Sequence, residues 1–269
     1  MRRNDGTHRS NEKNEPCLAF VLSGGGARGA LQVGALRALL ESDIRPDLLV
    51  GASIGAVNAA YVALNGFAAE TLTGLEEAWR DAMKAELLPA NYLWLTVRVL
   101  FNRAGLRISH HRFQDFFVAH GLTPDLCFAD LPGPRLILVA TDLHERAAVL
   151  FGEQPSQSVL EGLLASTALP PWIRPLRVGE RFLMDGGAVS NLPIESAMRS
   201  GATEIIALDL FDPRYTEPEI NGLGPFLSRL LATVEQRQLD WSCSEGWRLD
   251  TPFKSPWVTM PRSRSCTKT

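Results

Sequence analysis

The stretch that most constrains the fold is residues 48–58, where an apolar strand runs directly into small, helix-compatible residues. Its centre, Gly51-Ala52-Ser53-Ile54-Gly55, has the form G-x-S-x-G. At such a strand-to-helix turn the middle residue is held in a strained backbone conformation, and glycine on either side lets the strand and helix pass closely. The helix N-terminus would then direct N–H groups and its positive dipole end toward Ser53, which favours a nucleophilic serine. The alternative is that the small residues serve packing only.

Length and composition limit the class of protein. A chain of 269 residues, 45% hydrophobic and 21% charged, can bury one substantial core, which favours one main domain. A net charge of -3 gives no basic surface for nucleic acid. The four cysteines are widely spaced and form no C-x-x-C pair, so the sequence predicts no metal site and favours a reducing, cytoplasmic location.

The chain divides into a central domain and two tails. Residues 1–15 are rich in charge and lack the apolar core of a signal peptide, so we expect a disordered N-terminal tail. Residues 16–240 form the predicted domain, and residues 241–269 a poorly defined C-terminal extension. Within the domain, residues 87–106 are locally very apolar and contain tryptophan, tyrosine and arginines. They fit either a core helix or a lid that contacts membranes, so the protein could also be peripheral to the membrane.

Strand and helix patterns alternate along the domain. Apolar runs predict strands at residues 18–22, 48–50, 135–141, 147–151, 181–184 and 204–209. Helical spacing predicts helices at residues 30–40, 56–84, 158–168 and 194–199. Several of the runs are nearly all apolar, as in strands buried on both faces of a mostly parallel sheet. The alternation therefore predicts an α/β fold.

A glycine-rich loop follows the first predicted strand. Gly24, Gly25 and Gly26 lie between strand and helix, where successive backbone N–H groups can point into one concavity and bind an anion. Arg28 adds a positive charge nearby. Since the first two strands are expected to end side by side, this loop would lie beside Ser53 as an oxyanion hole.

Dinucleotide binding is a competing interpretation of the same loop. Gly24, Gly26 and Gly29 formally satisfy G-x-G-x-x-G after a strand and before a helix. That fold also needs an acidic residue at the end of the second strand to bind the ribose hydroxyls. Here the strand ends in Val50-Gly51-Ala52-Ser53, without a carboxylate, which makes the cofactor interpretation the weaker one.

A nucleophilic Ser53 needs a base, and the sequence offers two kinds. None of the five histidines lies in the last 125 residues, so the usual late histidine of a triad is absent, and His144 is the only tolerable candidate. Asp185-Gly186-Gly187 instead follows a predicted strand, where the glycines would expose the carboxylate. With an ordinary aspartate pKa of about 3.9, this base predicts no activity step near about pH 6.5.

These motifs together resemble the patatin-like phospholipase family. The matching residues are the loop from Gly24 to Gly29, the turn around Ser53, Asp185-Gly186-Gly187, residues 165–170, and Asn191-x-Pro193. The resemblance covers about residues 18–209 in the family's order. It implies a three-layer α/β/α fold around a central, mostly parallel sheet.

The resemblance also implies a function. It predicts a serine lipid acyl hydrolase of the phospholipase A, lysophospholipase or esterase type, which uses a dyad of Ser53 and Asp185 without metal or cofactor. The implied partner is a phospholipid or another acyl-ester lipid, met by transient contact with a membrane surface. A different class remains open, namely a catalytically silent lipid-binding protein of the same fold. No substitution in the three motifs favours it.

Overall fold

The computed structural model describes residues 16–85, 110–169, 173–210 and residue 233. Strands β1–β7 span Leu18–Leu22, Leu48–Ala52, Arg135–Asp142, Ala147–Phe151, Leu176–Val178, Arg181–Asp185 and Glu204–Leu208. Helices α1–α7 span Ala30–Glu41, Ile54–Asn65, Ala69–Lys84, His110–Ala119, Val159–Ser166, Gly187–Ser190 and Ile194–Arg199. Short 3-10 helices lie at Gly26–Gly29 and Phe128–Asp130. The six predicted strands and the main helices are confirmed, whereas α4, β5 and α6 were not predicted.

The strands form one mixed sheet. Strand β1 pairs in parallel with β2 and β7, and β2 pairs in parallel with β3. Strands β4 and β6 are both antiparallel to β3, and β5 is antiparallel to β6. Four adjacent strands are thus parallel, and their carboxyl ends lie at one edge of the sheet.

Helices cover the sheet on both faces because side chains alternate along each strand. Phe20 and Leu22 pack into the larger apolar cluster, which receives side chains from helices α1 to α5. Ala19 and Val21 point the other way, into a cluster completed by residues of α7 and the segment before it. Helices, sheet and helices form three layers, so the predicted α/β/α class is confirmed.

Strands β2 and β6 meet end to end along one edge of β3. Ala52, the last residue of β2, is paired with Val139, and Asp185, the last residue of β6, is paired with the next residue, Ala140. Strand β4 occupies the other edge of β3, because it pairs with Val139 and Ala140 as well. Since a strand has only two edges, β2 and β6 must approach each other head-on. The residues that follow Ala52 therefore lie beside Asp185.

Three predictions lie outside the described residues, namely the tails at residues 1–15 and 241–269 and the lid or core helix at residues 87–106. Among the helices that the structure describes, none is long and apolar enough to cross a membrane.

Candidate active site

Ser53 lies at a sharp turn between β2 and α2. Its backbone angles are φ 54 and ψ -126, in the left-handed half of the map that only glycine adopts at little cost. The turn requires its flanking glycines, because a Cβ on Gly55 would lie 2.3 Å from the Leu22 carbonyl oxygen and a Cβ on Gly51 would lie 2.6 Å from the Ala56 nitrogen. The sequence prediction of a strained serine turn agrees with this geometry.

The strain at Ser53 predicts a stability difference between two variants that both lack its hydroxyl. Ser53→Gly relieves the unfavourable φ, whereas Ser53→Ala keeps a Cβ and hence the strain. Such strain destabilises the folded state by about 1–3 kcal/mol. The greater conformational entropy of unfolded glycine offsets about 0.5–1 kcal/mol of the stability gained by relieving it. We expect the free energy of unfolding of Ser53→Gly to exceed that of Ser53→Ala by about 1 kcal/mol in urea titrations. A Ser53→Gly variant that is less stable than Ser53→Ala by about 0.5–1 kcal/mol would show that the turn is not strained.

The carboxylate of Asp185 is buried next to this turn. The residue is 2% exposed, and its Oδ1 accepts a hydrogen bond from the Gly187 N–H at 2.8 Å. Oδ2 is buried and accepts no hydrogen bond of standard geometry from a described residue. Burial raises the pKa of Asp185 to about 6, against the smaller lowering effects of the Ser53 hydroxyl and of the Gly187 N–H.

This burial corrects the expected pH behaviour. An ordinary aspartate pKa predicted no step of activity near neutral pH, but a base whose pKa is about 6 titrates there. The ordinary pKa expected for Asp185 was wrong, because the sequence pattern placed this residue at a strand end without showing how completely water would be excluded. A raised pKa also makes the carboxylate a stronger base once it is ionised.

Ser166 links the two parts of the site. Its Oγ donates to the Val139 carbonyl at 2.6 Å and accepts the Ser53 N–H at 3.0 Å. Its carbonyl accepts the Gly186 N–H at 3.4 Å. One fully buried serine therefore fixes the backbone on both sides of the site. In the sequence, Ser166 stood out only as part of residues 165–170, which resemble the family. The available signal was a serine at the end of a mostly apolar helix.

The glycine loop reaches Ser53 through the register of the strands. Leu22 is paired with Gly51, which puts Gly24 beside Ser53, and a Cβ on Gly24 would lie 3.0 Å from the Ser53 Cβ. Gly26 has a φ of 58, a conformation that favours glycine. The loop thus contacts the serine as the sequence predicted.

The loop residues differ in what they can donate. The Gly24 N–H donates to the Asn191 carbonyl at 3.1 Å. It is therefore not available to bind an oxyanion, although the sequence pattern predicted it to be. The N–H groups of Gly25 and Gly26 donate to no acceptor within the described part of the chain. Arg28 has an exposed side chain next to them. The candidate donors to an anion are therefore the N–H groups of Gly25 and Gly26, with the positively charged Arg28 close to them in the chain.

His144 lies away from this arrangement. It is in the turn between β3 and β4, its side chain is 85% exposed, and its Nε2 is 3.9 Å from Glu145. The structure does not bring this triad candidate to Ser53. Over the described ranges, no group of three or more His, Cys, Asp or Glu side chains is placed to hold a metal ion.

Several known proteins are similar in sequence to this chain. The chain is 32% identical over 195 residues to human patatin-like phospholipase domain-containing protein 6, which covers 72% of this chain but 13% of that protein. It is 28% identical over 198 residues to an NTE family protein of Mycobacterium tuberculosis, covering 72% of this chain and 30% of that one. The chain thus spans well under half the length of these relatives.

A solved structure and a family model complete the comparison. The crystal structure of VipD from Legionella pneumophila matches 88% of this chain and 57% of its own, with a TM-score of 0.52 and 17% identity, which supports the fold. The family model described as patatin-like phospholipase matches residues 20–198, the range that holds the glycine loop, the serine turn and Asp185. The chain therefore belongs to the patatin-like phospholipase family.

Proposed function

We propose that this protein hydrolyses carboxylic esters of phospholipids or related lipids, with Ser53 as the nucleophile and Asp185 as the base. The observation that carries the proposal is a strained serine at a helix N-terminus next to a buried aspartate whose pKa is raised to about 6. Buried carboxylates with raised pKa values are typical of catalytic bases. Membership of a phospholipase family supports lipid acyl hydrolysis as the reaction class.

The proposed reaction has two halves. Ser53 Oγ attacks the acyl carbon while its proton passes to Asp185, and the carbonyl oxygen becomes an oxyanion next to the N–H groups of Gly25 and Gly26. Breaking the ester bond releases the alcohol, which takes the proton from Asp185. Water then attacks the acyl-enzyme and gives a proton to Asp185. Asp185 passes that proton to Ser53 Oγ as the acyl bond breaks, so free fatty acid leaves with both residues restored. No step requires a second base.

The family and the chemistry near the loop support the proposed substrate class. Arg28 is exposed beside the oxyanion donors, where a lipid phosphate would lie close to the scissile ester. Transient contact with a membrane surface gives access to such lipids, and the apolar residues 87–106 are the candidate contact segment.

The experiment that tests this function uses phospholipid vesicles. We expect free fatty acid and lysophospholipid in equal amounts, unchanged by a chelator, and a fluorophosphonate adduct that mass spectrometry locates on Ser53. The reagent mimics the tetrahedral acyl-transfer state. Vesicle binding without either product or adduct would favour the alternative, a catalytically silent lipid-binding protein. Saturable binding of NAD would favour the dinucleotide interpretation.

Gly25 provides a prediction for the oxyanion loop. In Gly25→Val the new side chain would begin 2.7 Å from the Leu210 side chain, so either the loop or the Leu210 side chain must shift. Loss of one oxyanion donor lowers kcat by about 10² to 10³, and we expect this loss on a soluble ester. Gly34→Val is the matched control, since nothing lies within 4 Å of its added Cβ. Equal activity of the two variants would remove the loop from the mechanism.

A further inference from the structure

Three helices meet in a buried polar cluster beneath the glycine loop. Gln32 on α1 is 2% exposed, Asn58 on α2 is fully buried, and Trp79 on α3 is 8% exposed. Asn58 Nδ2 donates to Gln32 Oε1 at 2.9 Å, and Trp79 Nε1 donates to Asn58 Oδ1 at 3.0 Å. Each contact fixes which way an amide group faces, because a flipped amide would lose its partner. We call these three side chains the amide clasp.

The amide clasp holds both ends of the glycine loop. Gln32 Nε2 donates to the carbonyl of Ser23, which precedes Gly24, at 3.0 Å. Asn58 Nδ2 donates to the carbonyl of Gly29, at the far end, at 2.9 Å. The indole of Trp79 also packs against this end, since a Cβ on Gly29 would lie 2.8 Å from its ring. Both loop ends are therefore tied to neighbouring helices.

These bonds bear on the direction in which the loop points. A peptide group is planar, so the held Ser23 carbonyl fixes the plane that carries the Gly24 N–H, which donates to the Asn191 carbonyl at 3.1 Å at the start of the loop. Between the two held ends, the N–H groups of Gly25 and Gly26 have no acceptor within the described residues. Glycine has the widest conformational freedom of any residue, so this loop needs external restraints to keep its donors aimed.

We propose that Gln32 and Asn58 are positioning residues that hold the glycine loop in its oxyanion-binding conformation, with Trp79 orienting the Asn58 amide. The proposal rests on the proposed function, because it assigns the loop to stabilising an oxyanion. Transition-state stabilisation depends on donors that are held in place before reaction. Loosening the loop therefore affects the transition state much more than the bound ester.

The main test is Gln32→Met, which keeps the length of the side chain and removes its amide. On a soluble chromogenic ester we expect kcat to fall by about 10 to 10², less than the loss of a whole oxyanion donor, with KM changed less than about twofold. The inhibition constant of a trifluoromethyl ketone, which forms an oxyanion on the serine, should rise by the same factor as kcat/KM falls. A purely structural residue would leave all three constants unchanged in folded protein.

Thr71→Val is the matched control, because it also removes a buried donor, the bond from Thr71 Oγ1 to the Asn65 carbonyl at the other end of α2. We expect normal kcat and inhibitor binding in this variant.

Trp79→Phe is the milder second variant, which keeps an aromatic ring and removes the hydrogen bond to Asn58. We expect its kcat to lie between that of wild type and that of Gln32→Met. It keeps the proposal testable should Gln32→Met fail to fold.

Hydrogen exchange separates this proposal from the proposed function. The hydrogen-bonded loop amides of Gly24 and Arg28 should exchange at least about tenfold faster in Gln32→Met than in wild type, and their exchange should be unchanged in Thr71→Val. If exchange is faster in Gln32→Met but wild type does not hydrolyse esters, the proposed function is overturned. The amide clasp would then still be what fixes the loop. Unchanged exchange and unchanged kcat in Gln32→Met, with active wild type, would overturn the clasp alone. Equal losses in Gln32→Met and Thr71→Val would also overturn it.

Discussion

Ser53→Ala is expected to lower kcat for ester hydrolysis by a factor on the order of 10⁶, the size of loss found when a serine hydrolase is deprived of its nucleophile. Without Oγ no acyl-enzyme can form, and the remaining rate comes from water attacking a substrate that is bound beside the glycine loop. The measurement is hydrolysis of a chromogenic short-chain ester at saturating substrate. Labelling by a fluorophosphonate should disappear in parallel.

Ser190→Ala is the control for this substitution. Ser190 closes the short helix α6 that follows Asp185, and its Oγ donates to the Leu192 carbonyl at 3.5 Å, so it is a nearby serine with a different contact. We expect its activity and labelling to match those of wild type. Turnover in Ser53→Ala within tenfold of wild type, or labelling lost in Ser190→Ala, would assign the nucleophile elsewhere.

Asp185→Asn is expected to lower kcat by about 10² to 10⁴, the usual contribution of a positioned general base. The asparagine keeps the shape of the side chain, and its carbonyl can still accept the Gly187 N–H, but it cannot take the proton of Ser53. His144→Ala is the matched control, since that side chain is 85% exposed in the turn between β3 and β4. Near-normal turnover in Asp185→Asn, or its collapse in folded His144→Ala, would reverse the assignment.

The same substitution should make the protein more stable at neutral pH. Burial raises the pKa of Asp185 from its ordinary value of 3.8 to about 6, so the native state binds more protons than the unfolded state between these values. Stability from this group is then greatest below pH 4 and falls as pH rises through 6. At pH 8 Asp185→Asn removes a cost of up to about 3 kcal/mol. Urea unfolding at pH 4 and pH 8 tests this difference.

Activity should depend on pH in the opposite direction. Only the ionised form of Asp185 can accept a proton, so kcat/KM of the free enzyme should rise to a plateau as pH passes about 6. A histidine base would give a similar curve. The origin of the step is therefore established by its persistence in His144→Ala rather than by its position. A step that disappears in that variant would implicate the histidine.

Local sequence patterns were sufficient for the parts of the site that depend on local geometry. The turn around Ser53 and the loop at Gly24 to Gly26 both require glycine for close approach or unusual backbone angles, and glycine leaves a visible pattern. The strands before them are continuous apolar runs, which also read directly from the sequence. The same reasoning placed Asp185 at a strand end.

Features that depend on distant pairing could not be predicted in this way. The burial of Asp185 and its raised pKa arise because β6 ends against β2, a relation set by their shared partner β3. Ser166 and Asn58 are isolated polar residues in apolar helices, and nothing in their neighbourhoods shows what they contact. Strand β5 has only three residues, Leu176–Val178, which is too short for a periodic signal.

The head-on meeting of β2 and β6 has a consequence for how this site can change during evolution. The spacing between serine and aspartate is set by hydrogen bonds to one strand, β3. Its backbone pairs with both β2 and β6, and Thr141 Oγ1 also donates to the Asp185 carbonyl at 2.8 Å. Apolar residues of β3 can therefore change in size while the spacing between Ser53 and Asp185 is kept. An insertion of one residue in β3 would disrupt the site, because it would move Asp185 by about 3.3 Å relative to Ser53 and turn its side chain to the opposite face of the sheet. Tolerance to substitution and intolerance to insertion should thus coexist in the same eight residues.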